Sequence, residues 1–206
     1  MKGPLPDIFV VDNDSGDESI NYLRRIMQAI EAEQPERYQF LHERVDSKYL
    51  VPNEKDHRIR LKLIESSHNL GFGGGINIGL TNALKDPNIA YFWTLNNDTQ
   101  VTPNALKELK AVFSKDPSAG VLGSCLCYMQ APEIIQGVGG RYNPWFGTAQ
   151  HVLGGRHYSE VITNPDRPHI DYVIGASICI RREVLEAAGL FPEEYFLYFE
   201  DLDWAF

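Results

Sequence analysis

No stretch of the sequence is apolar for long enough to cross a membrane as a helix, and Met1-Lys2-Gly3-Pro4 does not begin a cleavable leader. Basic residues are in short supply: 19 Lys and Arg stand against 28 Asp and Glu, a formal charge of −9. A protein that grips nucleic acid by its phosphates carries a basic patch, so this balance argues against that class of partner. Cysteine is scarce too. Cys125, Cys127 and Cys179 are three, and cannot close an even-numbered disulfide framework. Cys125 and Cys127 would share one face of a strand, so a buried reduced pair is expected, in a cytoplasmic setting.

Several ligand signatures are absent as well. The glycines between residues 71 and 79 close no G-x-G-x-x-G register, and no Lys completes a P-loop, which argues against a dinucleotide dehydrogenase and a P-loop NTPase. The acidic loop that opens at Asp12 has Asp17 where an EF-hand needs glycine and Leu23 where it needs glutamate, so calcium is rejected there.

What remains is an ordinary globular composition, 206 residues with 43% hydrophobic and 23% charged. That is enough for one domain with a sizeable core. The run Tyr91-Phe92-Trp93-Thr94-Leu95 has the character of a strand covered on both faces, and it stops abruptly at Asn96, Asn97 and Asp98. Ligands of open α/β sheets collect at the carboxyl ends of strands, although plain turn chemistry also accounts for such a cluster. Residues 7–11 form a second buried run, closed by Asp12-Asn13-Asp14-Ser15, and Ser15-x-x-Glu18 matches a capping box. Ile20, Leu23, Met27 and Ile30 then recur at helical spacing.

Residues 31–58 are polar, carry Pro35 and Pro52, and read as the helix end plus a surface connection. Residues 59–65 alternate as a strand. The glycine-rich stretch that follows reads as a loop, leading into a helix striped by Ile76, Leu80, Ala83 and Leu84. Thr102 and Pro103 open another helix, residues 120–123 begin a strand, and residues 137–155 form an aromatic, glycine-rich loop. That loop's Tyr142, Trp145 and Phe146 could stack on sugars, with packing within the loop the simpler reading. Residues 170–180 form a strand leading to a helix over 182–188 that Gly189 ends. Glu200, Asp201 and Asp203 then crowd beside an aromatic run, which is costly unless a cation, a proton or a substrate uses them.

Taken in order, Val10-Val11-Asp12-Asn13-x-Ser15, Asn69-x-Gly71-Phe72-x-Gly74-x-x-Asn77-x-Gly79, Leu95-Asn96-Asn97-Asp98, and Gly175-Ala176 followed by Arg181-Arg182-Glu183 and Phe196-x-Tyr198-x-Glu200-Asp201-x-Asp203 form a specific set. The set resembles the family 2 glycosyltransferases, in particular their rhamnosyltransferase-like branch, and spans nearly the whole chain. The resemblance implies an α/β fold of the GT-A type, a mainly parallel sheet flanked by helices. It also implies a single domain over 1–206, a nucleotide-diphosphate sugar donor, a divalent Mg²⁺ or Mn²⁺ ion, and inversion at the anomeric carbon.

Carried over residue by residue, Asp12 and Asn13 look like donor-binding positions, with Asp12 at the nucleotide base. Asn69, Gly74, Asn77, Asn96 and Asn97 join them, and Asp98 is similar to the metal-binding aspartate. Asp201 resembles the general base, with Glu200 the competing carboxylate. The acceptor would be a glycan or lipid-linked hydroxyl, met in the cytoplasm or at the cytoplasmic face of the membrane. Family members open with a further strand ending in Tyr-Asn and continue beyond the acidic motif, so the resemblance implies more chain at both ends than residues 1–206. Two other readings stand beside the transferase. One is a binding module that kept the fold and lost turnover. The other is a sugar-nucleotide pyrophosphorylase, which would need a basic glycine-rich loop near its start that is absent here.

Overall fold

The computed structural model describes residues 6–45, 58–163 and 168–206, so Met1-Lys2-Gly3-Pro4 and Pro52 lie outside the described residues. The chain falls into two compact units, Met1–Ile89 with Leu190–Glu200, and Ala90–Gly189 with Asp201–Phe206.

The first unit is a three-stranded parallel sheet with helices. It contains β1 (Ile8–Asp12), α1 (Ser19–Glu33), β2 (Tyr38–Val45), β3 (Ile59–Ser66) and α2 (Gly71–Leu84). The strand order is β1-β3-β2, and the register sets Asp12 beside Glu65 and Glu65 beside Arg44. β3 is therefore the central strand, and Leu63 and Ile64 are fully buried. Helix α1 lays the expected Ile20, Leu23, Met27 and Ile30 against Leu61 and Leu63, which is the stripe a 3.6-residue period produces. On α2, Gly79 lies close to Val11 of β1.

Three expectations change here. β2 occupies a stretch read as surface connection, because its alternation is blurred and only pairing with β3 reveals it. The capping box does not form: the Ser15 hydroxyl donates to Asp12 at 2.6 Å, and Asp17 instead accepts the Ser19 N–H at 2.8 Å. The glycine-rich stretch is no loop but the first turn of α2. Gly71 sits at φ +72°, and a Cβ there would collide with the Phe196 carbonyl, so the glycine admits the segment that returns as residues 190–200.

The second unit holds β4 (Tyr91–Leu95), α3 (Ala105–Lys115), β5 (Val121–Gly123), β6 (Leu126–Tyr128), β7 (Ala131–Gly137), β8 (Gly140–Asn143), β9 (Thr148–His151), α4 (Tyr158–Ile162), β10 (Ser177–Arg181) and α5 (Arg182–Ala188). A last helical turn, α6 (Glu200–Trp204), carries the boundary between the units. β10 lies between β4 and β5 and runs antiparallel to both. It is buried at Ile178, Cys179 and Ile180. Arg181 secures this sheet: its guanidinium donates to the carbonyls of Ala119 (2.6 Å) and Phe113 (2.7 Å) while lying over the Phe113 ring at 4.8 Å. Arg182 lies over Phe92. Capping of α3 falls at Asn104, just past the expected Thr102-Pro103 pair.

Among the described residues β1 and β4 are each an edge strand of their own sheet, and their apolar runs are only partly buried. Ile8 is 45% exposed, and Leu95 40%. The cysteine expectation holds for two free neighbouring thiols and fails for burial on one strand: β5 ends at Gly123 and β6 starts at Leu126, so Cys125 lies in the link between them and is exposed. Cys179 is the buried thiol, and burial pushes its pKa up to about 12.

Candidate functional site

At the carboxyl ends of the parallel strands in the first unit, polar side chains replace the apolar core. Asp12 closes β1 and is buried, with its carboxylate tied back to the hydroxyl and N–H of Ser15. Asn13 reaches across to the start of α2. Its amide donates to Asn69 Oδ1 (3.2 Å) and the Gly71 carbonyl (2.9 Å), and its oxygen accepts the Leu70 N–H (3.1 Å). Asn69 Oδ1 also accepts the Gly71 N–H, so two asparagines bind the end of β1 to the first turn of α2. Gly74 lies buried in that turn against Leu70.

Asn77, one turn further, is turned inward. It is 3% exposed, and its amide is committed to Phe191 and Glu193 of the returning segment. Glu200, at the end of that segment, is also buried, at 4% exposure.

The same edge carries groups the sequence did not single out. Glu65, in register with Asp12, is approached by Arg24 (3.9 Å), His42 (3.4 Å) and Arg44 (3.9 Å). His42 and Arg44 belong to the strand missed in the sequence, and a register against β3 was the only signal that could have found them. The edge therefore presents carboxylates and guanidinium groups together, a mixture suited to a ligand with both anionic and hydroxyl parts.

In the second unit, Asn96, Asn97 and Asp98 follow β4 directly. The Asn96 N–H donates to the Ala176 carbonyl, and its own carbonyl accepts the N–H and hydroxyl of Thr99, which shapes a tight turn. Asn97 and Asp98 are left exposed at its tip, and the Asp98 carboxylate makes no hydrogen bond among the described residues. No cluster of three metal-ligating side chains occurs among the described residues. Asp98 still fits a hard divalent ion, because Mg²⁺ is commonly held by one or two carboxylates with water and substrate phosphates completing its shell.

Asp201 opens the other acidic element. Its Oδ2 accepts the Gly175 N–H at 2.8 Å and its Oδ1 the Leu202 N–H at 2.8 Å, which fixes the carboxylate while leaving it half-buried. Burial, and after it the Asp201 charge, raise the pKa of the Tyr172 hydroxyl.

The family model for glycosyl transferase family 2 matches residues 2–189. The chain belongs to glycosyltransferase family 2. This places the α/β architecture, with its parallel sheet and flanking helices, in the GT-A fold. The glycosyltransferase is also similar to two curated relatives, the N-acetylglucosaminyl-diphospho-decaprenol L-rhamnosyltransferases of Mycobacterium tuberculosis strains CDC 1551 / Oshkosh and ATCC 25618 / H37Rv. Each is 27% identical over 166 residues, covering 69% of this chain and 51% of the relative. The chain thus spans about half the length of these relatives, and it is rhamnosyltransferase-like within its family. Among the described residues of the transferase no helix is long and apolar enough to cross a membrane.

Proposed function

We propose that this family 2 glycosyltransferase moves a sugar, with inversion, from a nucleotide-diphosphate donor to a hydroxyl of a glycan or lipid-linked acceptor. The observation that carries the reading is the pair of differently held carboxylates in the second unit: Asp98 exposed and uncommitted at a strand end, Asp201 pinned by two backbone N–H groups. Asp12 and Asn13 at the carboxyl edge of the parallel sheet are the proposed contacts to the nucleotide. Asn69, just before α2, and Gly74 and Asn77 within it support that edge, with Asn77 acting through the segment it clamps.

Asp98, beside Asn96 and Asn97, would hold Mg²⁺ or Mn²⁺, which supplies charge neutralisation for the departing diphosphate. Asp201 is the base in this reading. It takes the proton of the acceptor hydroxyl as that oxygen forms its bond to the anomeric carbon; the bond from that carbon to the diphosphate oxygen breaks, and the nucleoside diphosphate leaves with the electron pair. Accessibility favours Asp201 over Glu200, which is only 4% exposed.

The mycobacterial relatives are, by name, rhamnosyltransferases acting on a diphospho-decaprenol-linked sugar. That makes a deoxyhexose donor and a diphospho-polyprenol acceptor the first pair to test, with the reaction placed at the cytoplasmic face of a membrane. The experiment is thermal stabilisation across UDP-, GDP- and dTDP-sugars with and without Mg²⁺, followed by turnover with the best ligand. Stabilisation together with release of nucleoside diphosphate supports transfer. Stabilisation without release would point to a binding module, and no stabilisation by any sugar nucleotide would overturn the reading.

A further inference from the structure

Among the described residues the β8–β9 hairpin is only lightly covered. All four residues of β9 are exposed, and on β8 only Gly140 is buried. At its tip Trp145 is 90% exposed and Phe146 80%, so the expectation that these aromatics pack within their loop does not hold. The tip is nonetheless well built. Asn143 accepts the Trp145 N–H on its side chain (3.0 Å) and the Phe146 N–H on its carbonyl (3.3 Å), and Gly147 turns the chain at φ +61°. At the root, the Gly140 N–H donates to the Tyr172 carbonyl and the Tyr142 N–H to Asp171. Two large apolar side chains are therefore held out into solvent by an ordered turn, where an isolated hairpin would be marginal.

The charge around them is unlike that of the rest of the molecule. Residues 134–159 contain no Asp or Glu, whereas the chain as a whole carries −9. Arg141, His151, Arg156 and His157 lie within that stretch. Arg156 is matched at the surface by Glu160 (3.3 Å), which leaves Arg141, exposed on β8, as the hairpin's own cation. A sugar-stacking platform would pair the aromatic face with carboxylates for the hydroxyls, and this stretch offers none.

We propose that the hairpin docks the protein on the surface of an anionic lipid bilayer, with Trp145 and Phe146 entering the interfacial layer and Arg141 meeting the headgroups. Tryptophan suits the membrane–water interface because its ring is apolar and its N–H stays wet. The absence of carboxylates from residues 134–159 weakens the repulsion that the acidic remainder of the chain brings to an anionic surface, with Asp171 held at the root of the hairpin and not at its tip. Two weak signals acting together, apolar insertion and one cation, give reversible attachment of the kind peripheral proteins use. The proposal deepens the membrane-face reading above, but its test needs neither donor nor acceptor, so failure of either leaves the other standing.

The test is co-sedimentation of the chain with vesicles of phosphatidylcholine containing phosphatidylglycerol, beside vesicles of phosphatidylcholine alone. Wild type should bind the mixed vesicles more tightly, with a blue shift of tryptophan emission. Trp145→Ala with Phe146→Ala should lower the partition coefficient by about tenfold or more. Arg141→Gln should lower it by about fivefold on the anionic vesicles only. The tip side chains are exposed, so the melting temperatures of the variants should match wild type. No vesicle binding by wild type, or binding that the tip variant leaves unchanged, overturns the proposal. Self-association of wild type abolished by the tip variant, without vesicle binding, would make the hairpin a contact between copies and overturn it equally.

Discussion

The side-chain amide of Asn77 pairs with both main-chain polar groups of Phe191, donating to its carbonyl at 2.8 Å and accepting its N–H at 3.0 Å, across 114 residues of sequence. Phe191 is itself 2% exposed, so neither group has water as an alternative partner. This clamp fixes the segment that leads to Glu200.

Asn77→Leu should therefore destabilise the fold by about 2–4 kcal/mol, since a buried donor and acceptor both lose their partner. Asn77→Asp loses the donor and buries a carboxylate beside Glu193 and the Phe191 carbonyl, so it should cost at least as much. Chemical denaturation of the two variants checks the order. Equal stability of Asn77→Leu and wild type would mean that the clamp contributes nothing.

Asp98→Ala is expected to leave the melting temperature within a degree or two of wild type, because the carboxylate is exposed and uncommitted. The same change should remove the dependence of nucleoside diphosphate binding on Mg²⁺ or Mn²⁺. Calorimetric titration with and without the ion decides this, and metal-dependent binding retained by the variant would take Asp98 out of the site.

Asp201→Asn should retain donor binding and lose transfer by about 10²–10⁴-fold, the usual contribution of a positioned base. The structure adds a cost: the amide oxygen can keep only one of the two N–H partners, Gly175 or Leu202, so stability should also fall by about 1–3 kcal/mol. Measuring kcat and donor Kd below the variant's melting range separates the two effects. Near-normal kcat in Asp201→Asn beside an inactive, folded Glu200→Gln would exchange the roles.

Arg60 bridges Asp7 and Asp86, all three largely removed from water. Burial alone would raise the Asp86 pKa, but the Asn88 backbone N–H and the Arg60 guanidinium outweigh it and hold the carboxyl below its ordinary 3.8. A carboxyl depressed in the folded state stabilises the fold above its unfolded value and loses that contribution as pH falls through the folded one. Stability should thus be insensitive to this group above about pH 4 and decline below it. Arg60→Met should cost about 3 kcal/mol at neutral pH and flatten the acid limb, which urea melts between pH 3 and pH 7 would show.

The sequence by itself determined the secondary elements that carry strong periodicity and the family to which the chain belongs. Ile20, Leu23, Met27 and Ile30 announce α1 because one helical face must be apolar, and Gly189 ends α5 because its φ of +86° is open to glycine. The ordered motifs around Asp12, Asn69, Asp98 and Asp201 are local in the chain, and that is why a sequence displays them.

Tertiary structure decided what depends on pairing across long separations. β2 exists because residues 38–45 find β3, and with it come His42 and Arg44 beside Glu65. The glycines after Asn69 became a helix turn because Phe196 returns against Gly71. Asn77 became an internal clamp because Phe191 arrives beside it, and Trp145 stands exposed because, among the described residues, nothing folds over the tip of its hairpin. In each case the deciding partner lies far away in sequence, where periodicity and spacing carry no information about it.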